Sequence, residues 1–261
     1  PISSEMSHMR PSLLPGLLQA AARNQSRGFG DLALFEVGAV FHGGEPGEQG
    51  QSISGILVGK TSAKDVHGTS REVDLFDAKA DAEAVLSAIG APAKTQVLRD
   101  VDDWWHAGRS GRICLGPKKT LAVFGEVHPR VTKALDLKGR VVGFTIWPEE
   151  VPVPKNETTN RGALTISDLQ TVERDLAFVL EADVAALDVV NAAQGADKAI
   201  IDQVRVFDEF VGGSLGEGRK SLAITLRLQP RDKTLTETEI DAVIKKVIDK
   251  VGRATGGTLR A

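Results

Sequence analysis

Leu222-Ala223-Ile224-Thr225-Leu226-Arg227-Leu228, followed by Thr236-Glu237-Thr238-Glu239, is the stretch on which the fold turns. In the first run an apolar residue falls at every second position, the pattern of a strand with one buried face. The second run is a capping box, whose hydroxyl and carboxylate satisfy each other's orphan backbone donors at a helix start. Behind it Ile240, Val243, Ile244, Val247, Ile248 and Val251 recur at helical spacing on one face. Gly256-Gly257 ends that helix, and Thr258-Leu259-Arg260 can supply a short last strand. Upstream, Val204 to Phe210 predicts a strand that turns at Gly212-Gly213-Ser214. Arg174 to Glu181, with Leu176, Phe178 and Leu180 on one side, predicts another. Between these two, Asp183 is expected to cap a helix with Val184, Leu187 and Val190 inward. The resulting order is β-α-β-β-α-β, the ferredoxin-like split βαβ.

A run with three prolines and mixed charge, Pro148 to Asn160, reads as a linker. The expected organisation is a first domain over 1–150, a linker over 151–167 and the ferredoxin-like domain over 168–261. In the first domain Ser12 is expected to cap a helix carrying Leu14, Leu17, Leu18 and Ala21, with Gly28 as its stop. Leu32 to His42 and Ile53 to Val58 predict neighbouring strands, and Leu121 to Val127 and Val141 to Trp147 two more. Asp77 is expected to cap a second helix with Ala78, Ala82, Val85, Leu86 and Ile89, ending at Gly90. Strands and helices alternate without a βαβ rhythm, so this half reads as α+β on an antiparallel-leaning sheet.

The chain has 261 residues, 32 Lys+Arg against 35 Asp+Glu, and 41% apolar residues, enough for a packed core and against wholesale disorder. No apolar run approaches the roughly 18–20 residues of a membrane-spanning helix. Cys114 is the sole cysteine, which excludes an internal disulfide and a cysteine-cluster zinc site and points to a reducing cytoplasm. The opening Pro1-Ile2-Ser3-Ser4-Glu5-Met6 has neither initiator Met nor signal-peptide regions, as expected of a piece of a longer protein.

Catalytic patterns are absent from the spacing. No two of His8, His42, His67, His106 and His128 stand at i, i+4, and there is no Gly-x-Ser-x-Gly elbow. Gly108-Arg109-Ser110-Gly111 lacks the Lys of a phosphate loop and reads as a structural turn. Asp81 and Glu83 read as a solvated helix face. Charge is split instead: Asp168 to Gly218 holds 3 basic and 11 acidic residues, Arg219 to Ala261 holds 10 basic and 5 acidic. Arg219, Lys220, Arg227, Arg231 and Lys233 allow two readings, a solvated sheet face or a phosphate-contacting surface on an open sheet. Arg227 alternates with Leu226 and Leu228 and so points away from the helices. The strand itself carries no aromatic residue for base stacking.

Several motifs carry more than their physics. Ser7-His8-Met9-Arg10-Pro11-Ser12-Leu13-Leu14-Pro15-Gly16-Leu17-Leu18, Leu34-Phe35-Glu36-Val37-Gly38-Ala39-Val40-Phe41, Phe76 to Glu83 and Phe124-Gly125-Glu126-Val127-His128-Pro129 resemble the beta subunit of bacterial phenylalanyl-tRNA synthetase. Glu173 to Val179, Gly218 to Ala223 and Thr234-Leu235-Thr236-Glu237 look like that family's ferredoxin-fold anticodon-binding domain. Ala107, where the family usually has Pro, and Gln170, where a Pro usually precedes the domain, depart from its pattern.

The resemblance implies the C-terminal portion of that subunit: a degenerate, non-catalytic class II synthetase-like core, then the anticodon-binding domain. The whole enzyme joins phenylalanine to its tRNA with ATP and Mg, as two alpha and two beta subunits in the cytoplasm, with catalysis in alpha. No cofactor is expected in this chain, because His42 stands where a catalytic motif places the Arg that holds the ATP phosphate. Leu13, Leu17, Phe35 and Phe41 are the expected contacts to the alpha subunit. Arg174, Arg219, Lys220, Arg227, Arg231 and Lys233 are the expected tRNA contacts, to phosphate or sugar. A rival reading, a ferredoxin-like module binding a small regulatory molecule, would want a glycine in the turn at Glu181-Ala182-Asp183, and there is none.

Overall fold

Pro15 in the first turn and Leu14, Leu17, Leu18 and Ala21 along one side make α1 (Leu14–Ser26). Leu13, not Ser12, occupies the cap position and makes no side-chain bond there; Ser12, one residue earlier, accepts the Leu14 N–H at 3.2 Å through Oγ, and the left-handed Gly28 at φ +93° lies just past the last turn. The computed structural model describes residues 8–63, 65–66, 68–153 and 167–260. The chain divides into two compact units, Pro1–Thr158 and Thr159–Ala261. The linker expected over 151–167 falls mostly on residues 154–166, outside the described residues.

In the first unit β1 (Leu32–Phe41) and β2 (Gln49–Val58) pair antiparallel, and α2 (Leu75–Ala88) follows. Asp74, not Asp77, is the cap of α2: its carboxylate accepts the Phe76 N–H at 2.8 Å. Asp77 is the third helical residue of the same capping box, accepting the Asp74 N–H at 2.8 Å. Asp77 alone can serve as a cap, but Ala80 stands three residues after it, so only Asp74 with Asp77 closes a box. Then come β3 (Gln96–Leu98), β4 (Trp105–Leu115), β5 (Lys119–Val127), α3 (Pro129–Ala134) and β6 (Val141–Ile146). Gly108 to Gly111 is not a turn but the irregular middle of β4, where the register shifts between Trp105 and Ser110. Gly125 lies opposite Ser110 at φ +146°, and a Cβ there would run into Ser110.

The six strands form one antiparallel sheet in the order β1-β2-β6-β5-β4-β3. α2 covers one face through Ala82 and Leu86, packed with Ile113, Leu121, Phe124, Phe144 and Ile146. α1 packs on the other with Ile56, Val58, Val123, Val127 and Val141. β6 lies between β2 and β5 and is buried at every residue, so it reads as a continuous apolar run rather than an alternation.

The second unit runs β7 (Val172–Glu181), α4 (Ala186–Gln194), β8 (Ile201–Phe210), β9 (Arg219–Leu228), α5 (Glu237–Thr255) and β10 (Thr258–Leu259). Its sheet order β10-β7-β9-β8, antiparallel throughout, is the ferredoxin-like arrangement expected from the sequence. Leu222, Ile224, Leu226 and Leu228 of β9 pack with Val243, Val247 and Val251 of α5. The box at Thr236 is reciprocal: Glu239 N–H donates to Thr236 Oγ1 at 3.3 Å, and Thr236 N–H to Glu239 Oε2 at 2.9 Å. α4 starts later than expected, with Ala185 rather than Asp183 at its cap. Its buried residues are Val189, Ala192 and Ala193, so the inward face is rotated from the Val184–Leu187–Val190 expectation.

Candidate nucleic-acid interface

Helices α4 and α5 cover the side of the second sheet that carries Leu222, Ile224, Leu226 and Leu228. Alternation therefore puts Arg219, Ser221, Ala223, Thr225 and Arg227 of β9 on the uncovered side. Pairing carries that face onto the neighbours: Glu173, Asp175, Ala177 and Glu181 of β7, and Arg205 and Phe210 of β8. Arg260, one residue beyond β10, joins them. Its guanidinium lies 5.7 Å from the Phe210 ring centroid and 3.5 Å from Ser221 Oγ, and its N–H donates to the Ala177 carbonyl at 2.8 Å.

The face is a lattice of opposite charges. Arg219 lies directly across from Glu181, with Nε 3.4 Å from its carboxylate. Arg227 Nε is 3.7 Å from Asp202, and Thr225 Oγ1 donates to Asp175 at 2.7 Å. Phe210 is 43% exposed among these groups. The arrangement supplies guanidinium groups for phosphates and one aromatic ring for a base, with flanking acids that limit where a polyanion can lie.

The six basic residues singled out from the sequence do not share this face. Arg219 and Arg227 lie on it. Arg174 pairs across from Leu226, on the helix side, and its Nη2 sits 3.3 Å from Glu237 at the start of α5. Lys220 shares the side of Leu222, is 6% exposed, and has Nζ 3.8 Å from Glu209. Arg231 and Lys233 occupy the β9–α5 connection. Arg231 Nε donates to the Ala199 carbonyl at 3.2 Å, and Lys233 Nζ lies 2.6 Å from Glu239. That pair, with the N–H and hydroxyl of Thr236, pushes the Glu239 carboxyl down to about 2, and the Lys233 ammonium is raised in turn.

Arg205, Phe210 and Arg260 escaped the sequence reading. A signal for Phe210 was present: Phe207 and Phe210 are three apart, which a regular strand does not place on one side. The register shift between Val206 and Asp208 resolves the conflict and turns Phe210 to the open face. Arg260 needed the strand order, because only the edge position of β10 brings it beside Ser221.

In the first unit the four expected subunit contacts separate in the same way. Leu13 is 1% exposed and Leu17 is buried in the unit's own core. Phe41 is half-buried. Phe35 is 77% exposed on β1, with Val37 exposed beside it on the same face.

An antiparallel α+β unit followed by a ferredoxin-like unit with an open arginine-bearing sheet defines the class, a two-unit α+β protein whose second unit has the ferredoxin-like order. Residues 1–147 match the phenylalanyl tRNA synthetase beta chain CLM domain, and residues 167–260 match the ferredoxin-fold anticodon binding domain. The chain belongs to the phenylalanyl-tRNA synthetase beta chain family. It is 70% identical over 260 residues to the phenylalanine–tRNA ligase beta subunit of Ruegeria pomeroyi and 60% identical over 264 residues to that of Cereibacter sphaeroides. Each match covers 100% of this chain and 33% of the relative, so the chain spans about a third of the length of the relatives it matches. A pyrrolysyl-tRNA synthetase structure from Desulfitobacterium hafniense aligns with 54% of this chain and 47% of its own at 17% identity, with a TM-score of 0.40, too distant to carry an argument.

Proposed function

We propose that this chain is a non-catalytic part of the beta subunit of phenylalanine–tRNA ligase, which contacts the anticodon region of phenylalanine tRNA and packs against the alpha subunit. The observation that carries the first half is the open face of Arg205, Arg219, Arg227, Arg260 and Phe210 on a unit matching an anticodon-binding domain. Guanidinium groups there contact phosphates and fix register, while Phe210 offers a stacking surface that tolerates any base. Packing against the alpha subunit falls to exposed Phe35 and Val37 of β1, since Leu13 and Leu17 are spent in this chain's own core. The assembly of two alpha and two beta subunits belongs to the same proposal, as does the cytoplasmic setting. Among the described residues no helix is long and apolar enough to cross a membrane.

ATP and Mg belong to the whole enzyme in this reading, and the residues around His42 do not suit them. The cavity that His42 lines contains no Lys or Arg and is walled by Leu14, Leu18, Trp105 and Val131, a poor setting for a triphosphate. Among the described residues no group of three His, Cys, Asp or Glu could hold a metal. The test is binding of a fluorescent anticodon stem-loop of phenylalanine tRNA to the chain. Arg219→Glu with Arg227→Glu should weaken it, and Phe35→Asp should leave it unchanged while abolishing co-purification with the alpha subunit. RNA affinity indifferent to the double reversal would place the RNA elsewhere.

A further inference from the structure

The first unit contains a cavity of about 510 Å³ beside α1, α3 and the β2–β6–β5 part of the sheet, within the size range of small-molecule sites. All three tryptophans of the chain, Trp104, Trp105 and Trp147, line it together with Leu14 and Leu18. Ser52 also lines it. That hydroxyl is 1% exposed, and its one hydrogen bond, to the Ile146 carbonyl, is 3.4 Å long. The hydroxyl is the donor in that bond, so its lone pairs remain available to a donor in the cavity.

Asp102 stands at the mouth, between this cavity and a groove that Arg112, Lys118 and Lys119 line. Asp102 is the sole Asp, Glu, Lys or Arg among the cavity's own lining residues. Its neighbours Asp100 and Asp103 are paired with Arg112 and Arg130. The Asp102 carboxylate makes no ion pair and no side-chain hydrogen bond among the described residues, and only its backbone carbonyl is used, by the Trp105 N–H at 3.0 Å. Trp104, two positions on, is 45% exposed. An unpaired carboxylate and an indole face both attract a cation, and the apolar walls behind them reward an apolar body.

We infer that this cavity binds a small organic ammonium compound with an aromatic or branched apolar body. Its head meets Asp102 and Trp104 while its body lies against Leu14, Leu18 and Trp105. This is separate from the nucleic-acid face and stands whether or not that face binds tRNA.

The test titrates 2-phenylethylamine into the 261-residue chain, read by tryptophan emission and by calorimetry. Its control is 3-phenylpropionate, with the same ring and the opposite charge. The amine should give a saturable change in emission and bind about tenfold more tightly than the acid, equivalent to about 1.4 kcal/mol. Asp102→Asn alters an exposed side chain that the fold does not use, and it should remove that preference. Trp104→Ala, at the rim, should weaken the amine without altering far-ultraviolet circular dichroism. Absence of a saturable response to the amine would overturn the site. Equal affinity for amine and acid, or an Asp102→Asn protein that still prefers the amine, would overturn the assignment of an ammonium ligand.

Discussion

Removing two guanidinium groups from the open sheet should change the salt dependence of RNA binding by an amount fixed by the count on that face. Arg205, Arg219, Arg227 and Arg260 are the four that the strand registers bring there. If all four meet phosphates of a single-stranded loop, the log–log slope of affinity against salt is about −2.8, and raising salt from about 50 to about 200 mM costs about 50-fold. With Arg219→Glu and Arg227→Glu two contacts remain, the slope falls to about −1.4, and the same salt change costs about sevenfold. Release of the Glu181 and Asp202 partners does not cancel the effect. Exposed pairs at 3.4 and 3.7 Å are worth at most about 1 kcal/mol, whereas a hydrogen bond to a charged group contributes about 1.5–3 kcal/mol. Fluorescence anisotropy of a labelled anticodon stem-loop over a salt series measures both slopes. The loss should be nearly equal for stem-loops of altered anticodon sequence, because phosphate contacts carry no base information. A slope that is the same in wild type and double variant would refute the assignment of these two arginines.

Further outcomes follow from the packing and the charges. Residues 168–261, with their own core and capping box, should unfold cooperatively as a separate protein with dispersed amide signals; a molten state would show that the unit depends on what precedes it. Leu226→Ala, at a wholly buried position between β7 and β8, should destabilise that unit by about 2–5 kcal/mol in urea titration, and a change under about 1 kcal/mol would mean the site collapses around the lost atoms. The Glu126 carboxyl is held below its ordinary range, first by the Arg109 hydrogen bonds at 2.6 and 2.9 Å and further by Arg140. Its stabilisation is therefore complete above the usual carboxylate range and lost as pH falls through the lowered value. Glu126→Gln should flatten the acid limb of the stability profile of the first unit, and an unchanged limb would contradict the pairing. The chain alone should show no phenylalanine-dependent ATP–pyrophosphate exchange above the blank, given His42 and the apolar cavity beside it; clear exchange would require a catalytic site outside those residues.

Most of the second unit was legible because its periodicities are unmixed. β9 alternates strictly, α5 has one apolar stripe, and Thr236 with Glu239 marks the start of the helix. The first unit was harder, since strands buried on both faces lose their alternation and β4 is broken by its irregular pairing at Ser110. β3 has three residues and α3 six, too short for any period to show. The face of Arg227 was readable from its alternation with leucines. The face of Lys220, two residues before Leu222, follows from the same alternation, but its burial does not, because that depends on Leu180 across the strand pair and Glu209 beyond. Leu13 and Leu17 were rightly apolar, but whether an apolar residue meets its own core or a partner is decided by the sheet beneath α1, which periodicity does not show.

The role of the open sheet in holding tRNA is tested most directly in the assembled ligase, alpha subunit included, carrying Arg219→Glu and Arg227→Glu. Aminoacylation of phenylalanine tRNA and ATP–pyrophosphate exchange are followed side by side. The KM for tRNA should rise with exchange unchanged, since the altered face touches RNA and not the chemistry. A KM for tRNA equal to that of the unaltered enzyme would contradict that role.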